Sequence, residues 1–98
     1  MAHRLAPQAR ADLSTIWNYI VTESGNVAAA DGVIDAITER FYLLSQYPRM
    51  GRLRDDLRPG LRSFAVGEYV IVYTIEDENV EILFVFHGRQ DIEGQLGQ

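Results

Sequence analysis

The sequence predicts an α+β domain in which a helical hairpin packs on one face of a mainly antiparallel sheet, in the chain order β-α-α-β-β-β. Two long segments with apolar residues at helical spacing fill the first half of the chain, and three segments rich in β-branched and aromatic residues follow a loop. A block of helices followed by a block of strands is typical of α+β architecture. The 98 residues are expected to form a single domain, 1–98.

The first half begins with a short strand predicted at 3–6, followed by a helix. Pro7 occupies a favoured first helical position. Ser24-Gly25 supplies the stop, because glycine readily takes the left-handed conformation found at helix ends. The apolar stripe of this helix comprises Ala9, Leu13, Ile16, Trp17 and Ile20.

A second helix is predicted to run antiparallel to the first, because the link between them is very short. Asn26 is a natural N-cap, and Pro48 and Gly51 end the helical region. Gly32 would cost this helix about 1 kcal/mol relative to alanine, which predicts that another element approaches closely there. The apolar stripe comprises Val27, Ala30, Ile34, Ile37, Phe41 and Leu44.

The second half predicts a loop at 49–60 and then a three-stranded meander. The strands are expected at 61–66, 69–76 and 80–87, with Asp77-Glu78 as a two-residue hairpin turn. The turn predicts the pairs Ile75 with Val80, Tyr73 with Ile82, Ile71 with Phe84 and Tyr69 with Phe86. One face of this hairpin is then continuously apolar and packs on the helices.

The opposite face of the predicted sheet, here called the second face, is apolar as well. The predicted register puts Val70, Val72, Leu83 and Val85 there. A contiguous exposed apolar patch usually marks a partner surface, so these four residues are candidates for binding another protein. The alternative is that the C-terminal tail folds back over them through Ile92 and Leu96.

Composition excludes several classes of function. The chain has no cysteine and only two, widely separated histidines, so no disulfide and no metal site are expected. No apolar run approaches the ~20 residues of a membrane span and no signal pattern is present, which predicts a cytoplasmic protein without a membrane partner. The net charge of −5 argues against direct sequence-specific nucleic acid binding.

The basic residues form a local positive cluster in this otherwise acidic chain. All nine are arginine, and five of them cluster between positions 49 and 62. Arginine stays protonated and binds planar or phosphate acceptors through a fixed fork, which favours recognition over proton transfer. Arg62 shares a strand face with Phe64, so it is either a binding residue or a half-buried partner of Glu68 or Glu81. For Arg54 and Arg58, the alternative is pairing with nearby acids on a solvated loop.

Several short motifs, taken in order, resemble those of the ParE toxins, members of the RelE/ParE superfamily of bacterial toxin–antitoxin systems. The resemblance runs from about residue 4 to 91. Its motifs are Pro7-x-Ala9-x-x-Asp12-Leu13-x-x-Ile16-Trp17-x-Tyr19, Pro48-x-x-Gly51-Arg52, Gly60-Leu61-Arg62, Tyr69-Val70-Ile71-Val72-Tyr73 and His87-Gly88-Arg89.

The resemblance implies a toxin that acts inside the cell by binding DNA gyrase, without enzymatic activity or a cofactor. A cognate ParD-like antitoxin would neutralise it in a toxin–antitoxin hetero-oligomer. Arg52, Arg62, Arg89 and His87 are then the candidates for binding the target. The apolar second face becomes the antitoxin-binding candidate.

Two alternatives stay open. The first is a RelE-like, ribosome-dependent mRNA endoribonuclease, in which His87 moves protons and arginines hold the phosphate. The absence of lysine and of any aromatic residue after His87 departs from the RelE pattern. The second is a toxin-fold domain that retains only antitoxin binding.

Overall fold

A computed structural model of the chain describes residues 2–89, which form a helical hairpin on one face of a five-stranded sheet. The elements are β1 (His3–Leu5), α1 (Pro7–Ser24), α2 (Val27–Gln46), a 3-10 turn (Pro48–Met50), β2 (Arg52–Leu53), β3 (Arg62–Val66), β4 (Tyr69–Glu76) and β5 (Asn79–His87). The strand order is β1-β5-β4-β3-β2, with β1 parallel to β5 and the other neighbours antiparallel. The predicted fold class is therefore confirmed. Strand β2 lies inside the segment predicted as a loop.

The helices begin and end as the sequence predicts. Gly25 has a φ of 66° and donates its N–H to the Val21 carbonyl at 2.7 Å, while the Asn26 side chain caps α2 by accepting from the Ala29 N–H at 3.0 Å. Most of both apolar stripes packs into the core against the sheet. Val27 is an exception, since it is 50% exposed. No helix within residues 2–89 is long and apolar enough to cross a membrane.

The prediction that another element approaches closely at Gly32 is wrong. A Cβ built on this residue meets no atom within 4 Å, so the position faces open space. Trp17 also differs from its predicted place in the core stripe. It is half-buried and donates its indole N–H to Asp31 at 2.8 Å, which ties α1 to α2 outside the core.

The register of the β4–β5 hairpin is half as predicted. The pairs Ile75 with Val80 and Tyr73 with Ile82 are confirmed, but Val72 then pairs with Phe84 and Ile71 with Val85. Leu83 is an extra residue on β5, a β-bulge that reverses the in–out alternation beyond it. The prediction that Val85 lies on the second face is therefore wrong. Val85 is 3% exposed in the helix-facing core, and Phe84 and Phe86 take the second face instead.

Helix α1 supports the bulged part of β5. Strand β1 ends at Leu5, opposite Ile82, so it cannot pair with the rest of β5. The Val85 N–H donates instead to the Asp12 carboxylate of α1 at 2.9 Å. A helix side chain thereby accepts the hydrogen bond that a neighbouring strand would otherwise accept. It also fixes the bulged part of β5, beyond which the side chains that pointed to one face of the sheet point to the other.

Candidate partner-binding surfaces

The second face carries an open groove of about 390 Å³. It is lined by Arg52, Arg54, Ser63, Ala65, Val70, Phe86 and Gly88. Its floor is apolar, because Val70 and Phe86 line it and Phe86 packs in a small buried cluster with Val72 and Leu61. The groove thus combines an apolar base with arginines at one end.

The segment between β2 and β3 packs on the second face and contributes Arg54 to this groove. Gly60, at a φ of 78°, donates its N–H to the Asp55 carboxylate at 2.8 Å, and Arg54 donates its N–H to the Leu61 carbonyl. These bonds fold the segment into a tight loop. The loop places Leu57 and Leu61 against Val72, which is completely buried.

The four antitoxin-binding candidates therefore do not lie together on one exposed surface. Val70 and Leu83 lie half-buried on the second face, where a partner can reach them. Val72 lies on that face but beneath the loop, and Val85 belongs to the core on the other side. The tail residues Ile92 and Leu96, proposed as an alternative cover, lie outside the described residues.

Sequence reasoning missed Phe84 and Phe86 on the second face. Their ring centroids lie 5.9 Å apart, and Phe84 is half-buried. Residues 82–86 are apolar without interruption, so no polar residue reveals which side chains face outward. Only the position of the bulge decides this, and no residue in that run marks it.

The four target-binding candidates also lie in different places. Arg52 is exposed on the second face, because it pairs with Ser63 and shares that residue's side of the sheet. Arg62 and His87 point to the helix-facing side, since they pair with Tyr73 and Tyr69, which pack in or against the main core. Arg89 is exposed in the turn after β5.

Arg62 binds backbone carbonyls. The predicted alternative in which it pairs with Glu68 or Glu81 is therefore wrong. Its Nη1 donates to the Gly51 carbonyl at 2.8 Å and to the Arg49 carbonyl at 3.2 Å. The guanidinium thereby holds the 3-10 turn against the sheet. Arg62 thus contributes a structural contact.

Tyr73 holds the same turn from the neighbouring strand. It is fully buried, donates its hydroxyl to the Pro48 carbonyl at 2.6 Å and accepts from the Gly51 N–H at 2.9 Å. Burial raises the pKa of its phenol, although the bond to Gly51 and the charge of Arg62 act in the opposite direction. Gly51 has no room for a side chain, because a Cβ would collide with the Tyr73 ring and hydroxyl.

His87 lies at the end of β5 among ordinary structural contacts. Its ring meets that of Tyr69 edge to face, with centroids 5.3 Å apart. Its Nδ1 accepts from the Arg89 N–H at 3.1 Å, and its Nε2 lies 4.0 Å from a Glu68 carboxylate oxygen. Within residues 2–89, no three His, Asp or Glu side chains are arranged to hold a metal ion.

Local pairing in the arginine-rich loop is confirmed for Arg54. Its guanidinium contacts the Asp56 carboxylate at 3.2 Å, and that hydrogen bond lowers the pKa of Asp56. Arg58 is exposed, and within the described part of the chain it makes no ion pair. Arg52 and Arg58 therefore keep their charge available to a partner.

Comparison with known proteins places this architecture in a family. The chain matches the family described as the ParE toxin of the type II toxin–antitoxin system, parDE, over residues 4–92. It is 41% identical over 78 residues to Toxin ParE3 of Caulobacter vibrioides, covering 80% of this chain and 78% of that protein. It is 33% identical over 95 residues to Toxin ParE1 of the same organism, covering 97% of each.

Solved structures agree with these relatives. A chain of the chromosomal ParDE toxin–antitoxin system from P. aeruginosa superposes with a TM-score of 0.77 at 22% identity, covering 89% of this chain and 95% of that one, which supports the fold. A chain of the RelBE2 toxin–antitoxin complex from Mycobacterium tuberculosis gives a TM-score of 0.58 at 30% identity, covering 88% and 95%. With the family match spanning residues 4–92, the chain belongs to the ParE toxins of type II toxin–antitoxin systems, within the RelE/ParE superfamily.

Proposed function

We propose that this toxin inhibits DNA gyrase by protein–protein binding and that a ParD-like antitoxin neutralises it in a hetero-oligomer. The family match over residues 4–92 carries this proposal, and the likeness to a chain of a ParDE system is consistent with it. The proposed site of action is the cytoplasm, where gyrase and a co-expressed antitoxin are both available.

The second face is the proposed antitoxin site. Val70 lines the open groove, and Leu83 and Phe84 are further half-buried apolar side chains on the same face, packed against the cluster that contains Phe86. An amphipathic helix seated in this groove would bury them, which is a common mode of peptide recognition. Val72 contributes only to the floor, because it is fully buried.

Neutralisation follows from the shared groove. Arg52, a proposed target contact, lines the same groove as Val70, a proposed antitoxin contact. An antitoxin bound over Val70 would therefore cover Arg52 and deny it to the target. Competition for one surface requires no change of shape in the toxin.

The arrangement of the remaining candidates favours recognition over RNA cleavage. A ribonuclease needs a general base, a general acid and cations gathered around one phosphate. Arg52 lies on the second face, whereas His87 lies on the helix-facing side against Tyr69. Arg62 shares the side of His87, but its Nη1 is bound to the backbone carbonyls of the 3-10 turn. A binding protein needs no such convergence, since its contacts can be spread over a surface.

The test is a supercoiling assay with purified gyrase, run beside a ribosome-coupled mRNA cleavage assay. Wild-type toxin should inhibit supercoiling and leave mRNA intact. Arg52→Ala should weaken inhibition roughly ten- to hundredfold, since a desolvated charge-assisted hydrogen bond is worth ~1.5–3 kcal/mol. Arg52→Lys should restore only part of it, because a point charge does not reproduce the guanidinium fork. Arg89→Ala should weaken inhibition less.

His87→Ala is the matched control and should inhibit gyrase as the wild type does. Wild-type mRNA cleavage that disappears in His87→Ala would overturn the proposal in favour of a RelE-like endoribonuclease. If the wild-type toxin neither inhibits gyrase nor cleaves mRNA but still binds the antitoxin, the chain is a toxin-fold domain that retains only antitoxin binding.

A further inference from the structure

The turn that joins α2 to β2 exposes apolar side chains outside the groove. Tyr47 is 60% exposed, Met50 41% and Leu53 47%. Tyr47, Arg49 and Met50 border an open depression over the end of α2. Leu53 pairs with Arg62 and so faces the helix side of the sheet, away from the groove. We call Tyr47, Arg49, Met50 and Leu53 the turn surface.

Polar contacts, of which the two made by Tyr73 are buried, hold this turn in place. Tyr73 and Arg62 are direct cross-strand partners, and together they make four hydrogen bonds to the backbone of Pro48, Arg49 and Gly51. Gly51 is buried and too close to Tyr73 for any larger residue. The exposed apolar side chains are thus presented by a fixed backbone, which lowers the entropy lost when a partner binds.

The charge around the turn surface is positive. Residues 40–54 contain four arginines and no acidic residue, whereas the whole chain has a net charge of −5. Of these four, Arg52 lies on the second face and does not contribute to the turn surface. Arg49 is exposed and makes no ion pair within residues 2–89. Arg54 is already paired with Asp56. An acidic partner is therefore attracted to this turn and repelled by most of the remaining surface.

We infer that the turn surface docks on an acidic protein surface with an apolar recess, belonging to the toxin's target. The inference rests on the proposed function and adds a second contact region, on the other side of the sheet from the antitoxin groove. Tyr47 and Met50 fill the recess, and Arg49 pairs with the acidic rim. Arg62 and Tyr73 are positioning residues that act by fixing the turn.

The experiment compares full-length variants for inhibition of purified gyrase and for affinity toward the proposed ParD-like antitoxin. Arg49→Glu and Met50→Ala should each raise the inhibitory concentration about tenfold or more, which corresponds to about 1.4 kcal/mol of contact energy. Antitoxin affinity should stay at the wild-type value. Arg10→Glu and Tyr19→Ala, at exposed positions of α1, are the matched controls and should change neither quantity.

Tyr73→Phe tests the positioning role, because the Tyr73 side chain is fully buried and touches no partner. It should weaken gyrase inhibition and leave antitoxin affinity unchanged, and Arg62→Ala should do the same. Equal losses of gyrase inhibition and of antitoxin affinity would indicate unfolding of the variant and would contradict a positioning role.

Two results would overturn the inference: wild-type inhibition by Arg49→Glu and Met50→Ala, or a loss of antitoxin affinity as large as the loss of inhibition. The second result would assign the turn surface to the antitoxin. If wild-type toxin does not inhibit gyrase, the proposed function fails by itself. Growth arrest in cells then replaces inhibition as the readout for the same variants, and retained toxicity would overturn the inference.

Discussion

The two faces of the sheet are similarly apolar but are covered differently. Helices α1 and α2 cover the first face, where Ile71, Tyr73 and Val80 are fully buried. Within residues 2–89, a single loop lies over the second face, where Val72 is fully buried but Val70 and Leu83 remain half-buried. The difference supports the proposed division of tasks, in which the helix-facing side holds the fold together and the second face binds a partner.

The largest expected effect on the free energy of unfolding comes from a large-to-small substitution in the helix-facing core. Phe41 of α2 is 1% exposed and packs in the main cluster. Phe41→Ala should lower the free energy of unfolding by about 3–5 kcal/mol, because it removes apolar contacts and leaves a cavity. Urea denaturation followed by circular dichroism measures this loss.

Phe84→Ala is the matched substitution on the second face. Phe84 is half-buried, so its removal should lower the free energy of unfolding by only about 1 kcal/mol. Its effect on antitoxin affinity should be larger than its effect on folding. Equal losses of folding stability for Phe41→Ala and Phe84→Ala would contradict the division between the two faces.

An effect smaller than that of Phe41→Ala is expected where the helix-facing core meets the turn surface. Tyr73→Phe leaves the Pro48 carbonyl and the Gly51 N–H without their hydroxyl partner, which should cost about 1–3 kcal/mol at neutral pH. The ring itself stays packed, so the fold should persist. Urea midpoints of wild type and variant give the difference.

The pH dependence of this effect follows from the raised pKa of Tyr73. A folded-state pKa above the unfolded value of 10.0 gives stability that is fully present below pH 10.0 and is lost as the pH rises through the folded pKa. Tyr73→Phe should therefore lose less stability than wild type above pH 10.0. Burial also raises the pKa of Tyr69, so part of the alkaline loss should remain. Identical alkaline profiles would contradict the assignment.

The sequence predicts the fold well, because helix signals and strand signals are local. The Asn26 cap and the Gly25 stop each depend on one residue and its immediate neighbours. The Asp77-Glu78 turn forms as expected, with both residues at positive φ. The architecture follows from these elements together with the apolar stripes.

The candidate site was less predictable, because its residues depend on long-range contacts. The bulge at Leu83 moves Val85 into the core and brings Phe84 outward, and the Val85 N–H finds its partner on a distant helix, at Asp12. Arg62 binds the carbonyls of Arg49 and Gly51, which no local pattern indicates. Side-chain identity alone could not distinguish this contact from an ion pair.

The smallest expected effect is at the solvent-facing side of the helices. This side belongs to neither face of the sheet, so it is a reference for both. Gly32→Ala should raise the free energy of unfolding by about 1 kcal/mol, because alanine favours the helix and its Cβ meets open space. Thermal unfolding should shift upward by about 4–8 °C. Gly51→Ala, where a Cβ collides with Tyr73, should destabilise the protein and is the opposing control.

Methyl NMR of the labelled toxin during titration with its antitoxin tests the division of the two sheet faces most directly. The methyl resonances of Val70 and Leu83 should shift, because both side chains are half-buried on the proposed antitoxin surface. The resonances of Ile37 and Leu44, enclosed between the helices and the sheet, should change little. Perturbation centred on Val27, at the outer surface of α2, with Val70 and Leu83 unchanged would contradict the assignment of the second face to the antitoxin.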